Sequence, residues 1–204
     1  MTKRAAILTA VAAMVMLASV VALGYPRPGH SPRSWQLDFK YGPLKMIRLA
    51  RPGQGIQTFW YLPYTVTNNT GRDVDFYPRC HLFTDTGQLF EAPHGIDALA
   101  YPDIAKLLGK ELLEEELFVR GKLLQGEENA RESVIILKDF DLKAISFKLF
   151  IAGLSGEATW VTNPMTAKKR HLVKTLQLSY ALGGDRLSST ELTAELKNKE
   201  WIMR

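Results

Sequence analysis

The chain has one cysteine in 204 residues, Cys80, so a fold held together by internal disulfides is excluded. Several motifs that carry chemistry are missing as well. The sequence has no G-x-x-x-x-G-K-[ST] phosphate loop, no G-x-S-x-G nucleophile elbow and no D-x-[DN]-x-[DN]-G calcium loop. The string Gly-Leu-Ser-Gly at 153–156 is typical of a β-turn instead. We therefore expect a protein that is not an enzyme and that holds no cofactor.

Histidine is scarce too, with four in the chain, and none lies three to five residues from another as most zinc sites require. Cys80 and His81 are adjacent, and His94 follows thirteen residues after His81. These three side chains would form a copper or zinc site if the intervening loop folded back. Because neighbouring residues on a strand point to opposite faces, we favour a buried, unliganded Cys80 and keep the metal site as an alternative.

The first 24 residues are the most informative part of the sequence. Lys3 and Arg4 precede an uncharged apolar run, 5–23, which is about as long as a membrane-spanning helix. Small residues at Ala22 and Gly24 would allow cleavage before Tyr25. Residues 1–24 are therefore either a signal peptide or a membrane anchor. Both interpretations predict an extracytoplasmic protein, secreted or anchored in the cell envelope, and the lone cysteine favours a bacterial one.

The net charge of +5 does not indicate nucleic-acid binding, because Lys3, Arg4, Arg27 and Arg33 in the first 33 residues supply four of those five charges. The remaining basic cluster is Lys-Lys-Arg-His at 168–171. It could contact anionic lipid or polysaccharide, but a solvated turn before a strand is the simpler interpretation.

Residues 25–34 form a linker rich in proline, and most of the chain beyond residue 34 has the pattern of β-strands. Gly-Pro at 42–43 predicts a turn between two strands of a hairpin. The run 57–67 is the strongest strand, and Pro63 within it indicates an edge position or a bulge. Residues 74–83 alternate between two faces, one carrying Cys80 and the other His81.

Two segments break the β pattern. Leucines at helical spacing predict one or two short helices in an insert at about 100–120, interrupted by Gly109 and begun near Asp103. Possible capping residues at 188–191 and the Glu195–Lys199 pair predict a C-terminal helix over 184–204. The sequence thus predicts a mainly β domain at 35–183, an immunoglobulin-like β-sandwich with a helical insert, followed by a C-terminal helix.

A family resemblance agrees with this fold. The segment 64–71 (YTVTNNTG) ends in an Asn-Asn-Thr-Gly turn, and 82–87 (LFTDTG) ends in Asp-Thr-Gly. A Gly-Glu pair at 126–127 then precedes strand-like segments at 133–137 and 145–152. Over about residues 57–152 this order resembles bacterial exported immunoglobulin-like domains of unassigned function. The resemblance implies a fold and a location, and it implies no functional residue.

The aromatic residues Phe59, Trp60, Tyr61 and Tyr64 are the candidate binding residues, because an exposed aromatic strip can stack on sugars or contact a partner. Core packing explains the same residues equally well. We predict an exported or membrane-anchored, non-catalytic domain that binds a protein or another envelope component and no nucleic acid. The alternatives are a metal-binding envelope protein and a carbohydrate-binding domain.

Overall fold

A computed structural model describes residues 26–28, 34–51, 53, 55–93, 96, 99–110, 113, 119–163 and 165–204. The predicted leader, 1–24, and most of the predicted linker lie outside these residues. The described chain is mainly β, with antiparallel sheets and a short helix, α1 (Ala100–Leu107). Its strands are β1 (Asp38–Tyr41), β2 (Lys45–Arg51), β3 (Gly55–Asn68), β4 (Val74–Phe76), β5 (Arg79–Thr84), β6 (Leu89–Ala92), β7 (Gly121–Leu123), β8 (Gly126–Lys138), β9 (Ser146–Ala152), β10 (Ala158–Thr162), β11 (Lys169–Ala181), β12 (Glu191–Thr193) and β13 (Glu195–Met203).

The first sheet has the order β8-β3-β2-β12, and β1 continues β2 along the same edge of β3. The predicted hairpin at Gly42-Pro43 is therefore wrong. Gly42 donates its N–H to the carbonyl of Pro63 at 2.9 Å, and a Cβ on Gly42 would lie 3.0 Å from the Pro63 ring. Between the pairs Tyr41–Tyr64 and Lys45–Tyr61, the three residues 42–44 lie opposite the two residues 62–63, so the β1–β2 side carries one extra residue where Pro63 has no N–H to donate. Of the two predictions for Pro63, an edge position or a bulge, the structure agrees with the bulge, because β3 is paired on both sides.

The second sheet has the order β6-β5-β9-β11-β13, and β10 continues β9 along β11. At the break between β9 and β10, Leu154 accepts a hydrogen bond from Leu37 and Gly156 donates one to Trp35. This contact ties the start of the domain to the second sheet. A small third sheet pairs β4 with β7.

The two larger sheets share one hydrophobic core. Alternate residues of β3, including Trp60 and Tyr64, pack in the same cluster as Cys80, Leu82 and Leu149 of the second sheet. The indole N–H of Trp60 donates to a carboxylate oxygen of Asp139 at 3.0 Å. Arg186 pairs with the same carboxylate and stacks over the rings of Trp60 and Phe140. This cluster closes one end of the core.

The opposite face of the first sheet is covered by α1. Ile104 of the helix packs in a second cluster with Phe59, Tyr61 and other residues of β2, β3 and β8. Arg51, at the end of β2, holds the first turn of the helix through an ion pair with Asp103 at 2.5 Å. The helix ends before Gly109, whose φ of 63° breaks the helical path. A helix in the insert was expected and is present, and residues 111–112 and 114–118 lie outside the described part.

The predicted C-terminal helix is wrong, because residues 191–203 form β12 and β13. β13 pairs with the otherwise open edge of β11, and β12 pairs with β2. Lys197 contacts Glu195 at 2.5 Å, a spacing of two that brings side chains together on a strand and not on a helix. The backbone hydrogen bonds formed with the edge of β11 outweigh the weak local preference for a helix.

Among the described residues, we find no helix with the length and apolar character needed to cross a membrane. The run at 5–23, which the sequence predicts as a signal peptide or an anchor, lies outside them.

Candidate functional site

The four aromatic residues proposed from the sequence are buried. Trp60 and Tyr64 point into the shared core, whereas Phe59 and Tyr61 lie under α1. Each of the four is at most 4% exposed. Both faces of this part of β3 are covered, one by the second sheet and one by the helix. The strand therefore presents no aromatic strip on the surface, and the alternative of core packing describes these residues.

The metal-site candidates separate in space. Cys80 is buried in the shared core, whereas His81 lies on the opposite, outer face of β5. This placement follows the alternation that the sequence predicted for 74–83. His94 lies outside the described residues. Within the described part of the chain, no three His, Cys, Asp or Glu side chains are grouped as metal ligands would be.

The outer face of the second sheet is different from that of the first, because no hydrophobic cluster of the described residues covers it. A depression of about 400 Å³ opens on this face across β5, β9, β11 and the C-terminus. We call it the cationic basin, and its lining is Arg79, His81, Phe150, Ala152, His171, Val173, Thr175 and Arg204.

The register of the strands explains why these residues meet. Arg79 and His81 pair with Ala152 and Phe150, so all four share the outer face. Arg204 reaches the same face through two backbone hydrogen bonds with Val173, and its guanidinium lies 4.0 Å from the centre of the Phe150 ring. Two arginines and two histidines thus surround the ring of Phe150, which is 8% exposed, on the outer face of the sheet.

Arg79 and Arg204 place two positive charges at the basin, and the carboxylate of Glu91 acts on His81 as well. The pKa of His81 is lowered by partial burial, then by the nearby positive charges of Arg204 and Arg79, while Glu91 of β6 acts in the opposite direction. An anion in the basin would offset this repulsion and favour protonation of His81. The arrangement is suited to binding carboxylate or another anionic group through charge-assisted hydrogen bonds.

Exposed side chains extend this face along the hairpin formed by β10 and β11. Trp160 lies opposite His171 in the register, and their rings are 4.8 Å apart. Trp160 is 66% exposed, unlike the aromatic residues of β3. An aromatic ring is therefore available beside the basin for stacking on a ligand.

The serine and the buried ion pair near this hairpin have structural roles. The hydroxyl of Ser155 donates to the carbonyl of Trp35 at 3.0 Å and accepts the N–H of Glu157 at 3.2 Å. Lys174 and Glu157 form a buried ion pair at 3.0 Å, and Lys174 also faces the ring of Trp201. These groups hold the β9–β10 break and the C-terminal strand in place. They are not arranged as a nucleophile and base.

Two further cavities are less informative. One, of about 690 Å³, runs beside α1 and includes Lys106, Lys110 and Glu132. The other, of about 470 Å³, includes Arg27 and Ser34. The cationic basin is lined entirely by strands and by the C-terminal residue.

Only part of this surface was predicted from the sequence. The alternation in 74–83 placed Arg79 and His81 on one face of a strand, and His171 was noted in a basic cluster. Phe150, Thr175 and Arg204 were given no role, because their meeting depends on the pairing of distant strands. The alternation in 169–181 was the available signal, since it places His171, Val173 and Thr175 on a common face.

Comparison with known proteins gives no relative: no family model, no curated protein and no solved structure matches this chain.

Proposed function

We propose that this chain is an exported or membrane-anchored, non-catalytic binding domain of a bacterial cell envelope, built as an immunoglobulin-like β-sandwich. Its cationic basin binds an anionic group on a protein or another envelope component. The proposal rests on one observation above others. The outer face of the second sheet is open and concentrates Arg79, Arg204 and two histidines around Phe150.

The strand order supports the immunoglobulin-like assignment. In that fold, strands A, B and E lie in one sheet, and C, F and G in the other, with C′ beside C in the larger variant. Here β2-β3-β8 and β6-β5-β9-β11 follow the same sequence of neighbours along the chain. The insert that contains α1 occupies the position of strand D, and β12 and β13 are additions to the common set.

The charged groups of the interior have structural partners. Lys174 forms an ion pair with Glu157, and Arg186 forms another with Asp139. Residues of the basin are mostly cationic or apolar, and its floor at Thr175 donates its hydroxyl to the carbonyl of Val173 at 3.1 Å. Such a surface can hold an anion by charge and shape, which is a binding function.

The proposal is tested by titrating the protein with a short glutamate-rich peptide and with its glutamine-rich counterpart, using isothermal titration calorimetry at low salt. We expect binding of the acidic peptide alone. Arg79→Gln should weaken it about tenfold, as the loss of one charge-assisted hydrogen bond implies. Arg72→Gln is the matched control, because Arg72 is exposed on a different part of the surface. Equal binding of both peptides, or equal loss in both variants, would contradict the proposal.

Carbohydrate binding is the second candidate, and exposed Trp160 beside the basin favours it. Under this alternative, Trp160→Ala abolishes binding to a glycan array while Arg79→Gln leaves uncharged glycans bound. The third candidate, metal binding by Cys80, His81 and His94, has less support because Cys80 and His81 lie on opposite faces of β5.

A further inference from the structure

The hairpin of β10 and β11 extends beyond the rest of the second sheet. Residues 169–173 of β11 pair with β10, whereas β13 pairs with β11 from Lys174 onward and β9 from Leu176 onward. Arg204, after β13, bonds to Val173. At the turn, Asn163 accepts the N–H of Met165 and of Thr166 on its side-chain oxygen, at 2.9 and 3.2 Å. Two backbone hydrogen bonds, Asn163 with Lys168 and Ala167 with Asn163, close the turn. The described residues of the turn are therefore held by four hydrogen bonds.

The charge of this hairpin has one sign. From 158 to 184 the sequence contains no aspartate or glutamate. Lys168, Lys169 and Arg170 follow one another at the turn and are exposed. Lys169 and Arg170 lie on opposite faces of the hairpin, because successive residues of a strand point to opposite sides. The cations thus form a collar around the tip and not a charged stripe on one side.

Apolar side chains accompany the collar. Met165 at the turn is 94% exposed. Trp160 lies two residue pairs beyond Thr162 and Lys169, the first pair of the hairpin. Single exposed apolar residues are ordinary on protein surfaces, and this domain has others, such as Ile56. An apolar tip inside a collar of three cations, with tryptophan behind it, is a different arrangement. It is the pattern by which proteins contact the surface of an anionic membrane.

We propose that the β10–β11 hairpin docks, tip first, on an anionic lipid bilayer. Met165 enters the boundary between headgroups and acyl chains, while Lys168, Lys169 and Arg170 contact the lipid phosphates. Trp160 lies about 7 Å behind the first residue pair of the hairpin. Trp160 then lies on the headgroup side of Met165, the region of a bilayer in which tryptophan is enriched.

This docking site does not depend on the function proposed for the cationic basin. The docking contact is made by residues at the turn, whereas the basin centres on Arg79, His81, Phe150 and Arg204. The two sites adjoin where Trp160 contacts His171 of the basin lining. A hairpin held on the membrane would keep the basin beside the envelope surface. The two sites can therefore be tested with separate variants.

The test uses vesicles of phosphatidylcholine alone and vesicles that also contain phosphatidylglycerol, each with a nitroxide on some of the headgroups. The protein is used as it is isolated from cells, with the leader retained or removed as the cells leave it. Quenching of Trp160 fluorescence is obtained from the difference between the wild type and Trp160→Phe. Because this signal comes from the hairpin, it reports docking whether or not residues 5–23 are also in the bilayer.

We expect Trp160 to be quenched by the anionic vesicles, weakly by the zwitterionic ones, and less as salt is added. Replacing Lys168, Lys169 and Arg170 by glutamine should weaken the contact on the order of 100-fold, about fivefold for each cation. Met165→Ser should weaken it about tenfold. The matched control replaces three exposed lysines elsewhere, Lys40, Lys106 and Lys143. It should weaken vesicle binding by less than threefold for each charge removed, against about fivefold in the hairpin.

Several results would overturn the docking proposal. They are an unquenched Trp160 in anionic vesicles, equal quenching in both kinds of vesicle, and equal losses in the hairpin and control triple variants. Displacement of the hairpin from vesicles by an acidic polysaccharide at low concentration would also count against it, since the collar would then prefer a glycan. Arg79→Gln should leave the quenching unchanged, so failure of the basin and failure of the hairpin give different results.

Discussion

The two large sheets differ in whether a packed layer covers their outer face. The first sheet covers its outer face with α1, and Phe59, Tyr61 and Ile104 pack there in a second hydrophobic cluster. The second sheet leaves its outer face open, with Arg79 and Arg204 around a depression. One face adds to the stability of the domain, whereas no hydrophobic cluster of the described residues covers the other. The difference indicates where a partner can reach this protein.

The sequence carries this difference in its patterns. β3 and β8 contain runs such as Phe-Trp-Tyr-Leu and Val-Ile-Ile-Leu, in which neighbouring residues are all apolar, so both faces of each strand must be covered. β5 and β11 alternate between apolar and polar residues, which is typical of a strand with one wet face. A continuous apolar run in an antiparallel sheet thus indicates a third layer over that sheet.

The largest expected effect comes from comparing two tryptophans. Trp60→Ala should lower the free energy of unfolding by about 3–5 kcal/mol, because it leaves a cavity in the core and removes a partner of Asp139. Trp160→Ala should lower it by less than about 1 kcal/mol, since that ring is mostly in solvent. Urea unfolding of both variants measures the contrast. Similar losses would mean that Trp60 is not in the core.

A second comparison tests the cover on the first sheet, with two residues of the same helix. Ile104→Ala removes a fully buried side chain and should cost about 2–5 kcal/mol, whereas Leu107→Ala, at a position 46% exposed, should cost less than about 1 kcal/mol. Thermal unfolding of both variants gives the difference. If the two substitutions have equal and small effects, α1 does not contribute to stability as a packed layer would.

The smallest effect concerns pH on the open face. The pKa of His81 in the folded protein is below the unfolded value of about 6.5, because burial and two arginines disfavour the imidazolium. Between these two pKa values the unfolded chain binds more protons than the folded one. The contribution of His81 to the free energy of unfolding is therefore fully present above about pH 6.5. It is lost as the pH falls toward the folded pKa.

Binding should change in the opposite direction. Protonated His81 adds a positive charge to the basin, so affinity for the glutamate-rich peptide should rise by a few fold as the pH falls from 7.5 toward 5.5. His81→Gln should flatten this dependence while leaving the Arg79 contribution intact. Calorimetric titrations of both proteins across this range check it. An unchanged slope in the variant would assign the dependence to another group.

The sequence predicts the local patterns of this fold well and the distant pairings poorly. The inward and outward residues of β5, the helix that ends before Gly109 and the bulge at Pro63 all follow from local chemistry. The C-terminal strand does not, because an interval of four residues fits one face of a helix and one side of a regular strand alike. In the structure, a register shift opposite Ser179 and Tyr180 separates Glu195 from Lys199. What decides between helix and strand is the open edge of β11, which only the assembled sheet reveals.

The candidate site shows the same division. His81 and His171 were visible as unusual residues, but the first was considered with Cys80, its neighbour in sequence that lies on the opposite face. Its true neighbours, Phe150 and Arg204, are far away along the chain. The aromatic run was conspicuous for the reverse reason. A cluster of large apolar residues in one strand is the usual composition of a core.

The outer face of the second sheet is, in our central claim, the binding surface of this protein. The most direct measurement is NMR of the backbone amides during titration with the glutamate-rich peptide. We predict shifts concentrated at Arg79, His81, Thr175 and Arg204, with the amides of β2, β3 and α1 unchanged. Shifts on the helix-covered face of the first sheet, or none anywhere at saturating peptide, would contradict the claim.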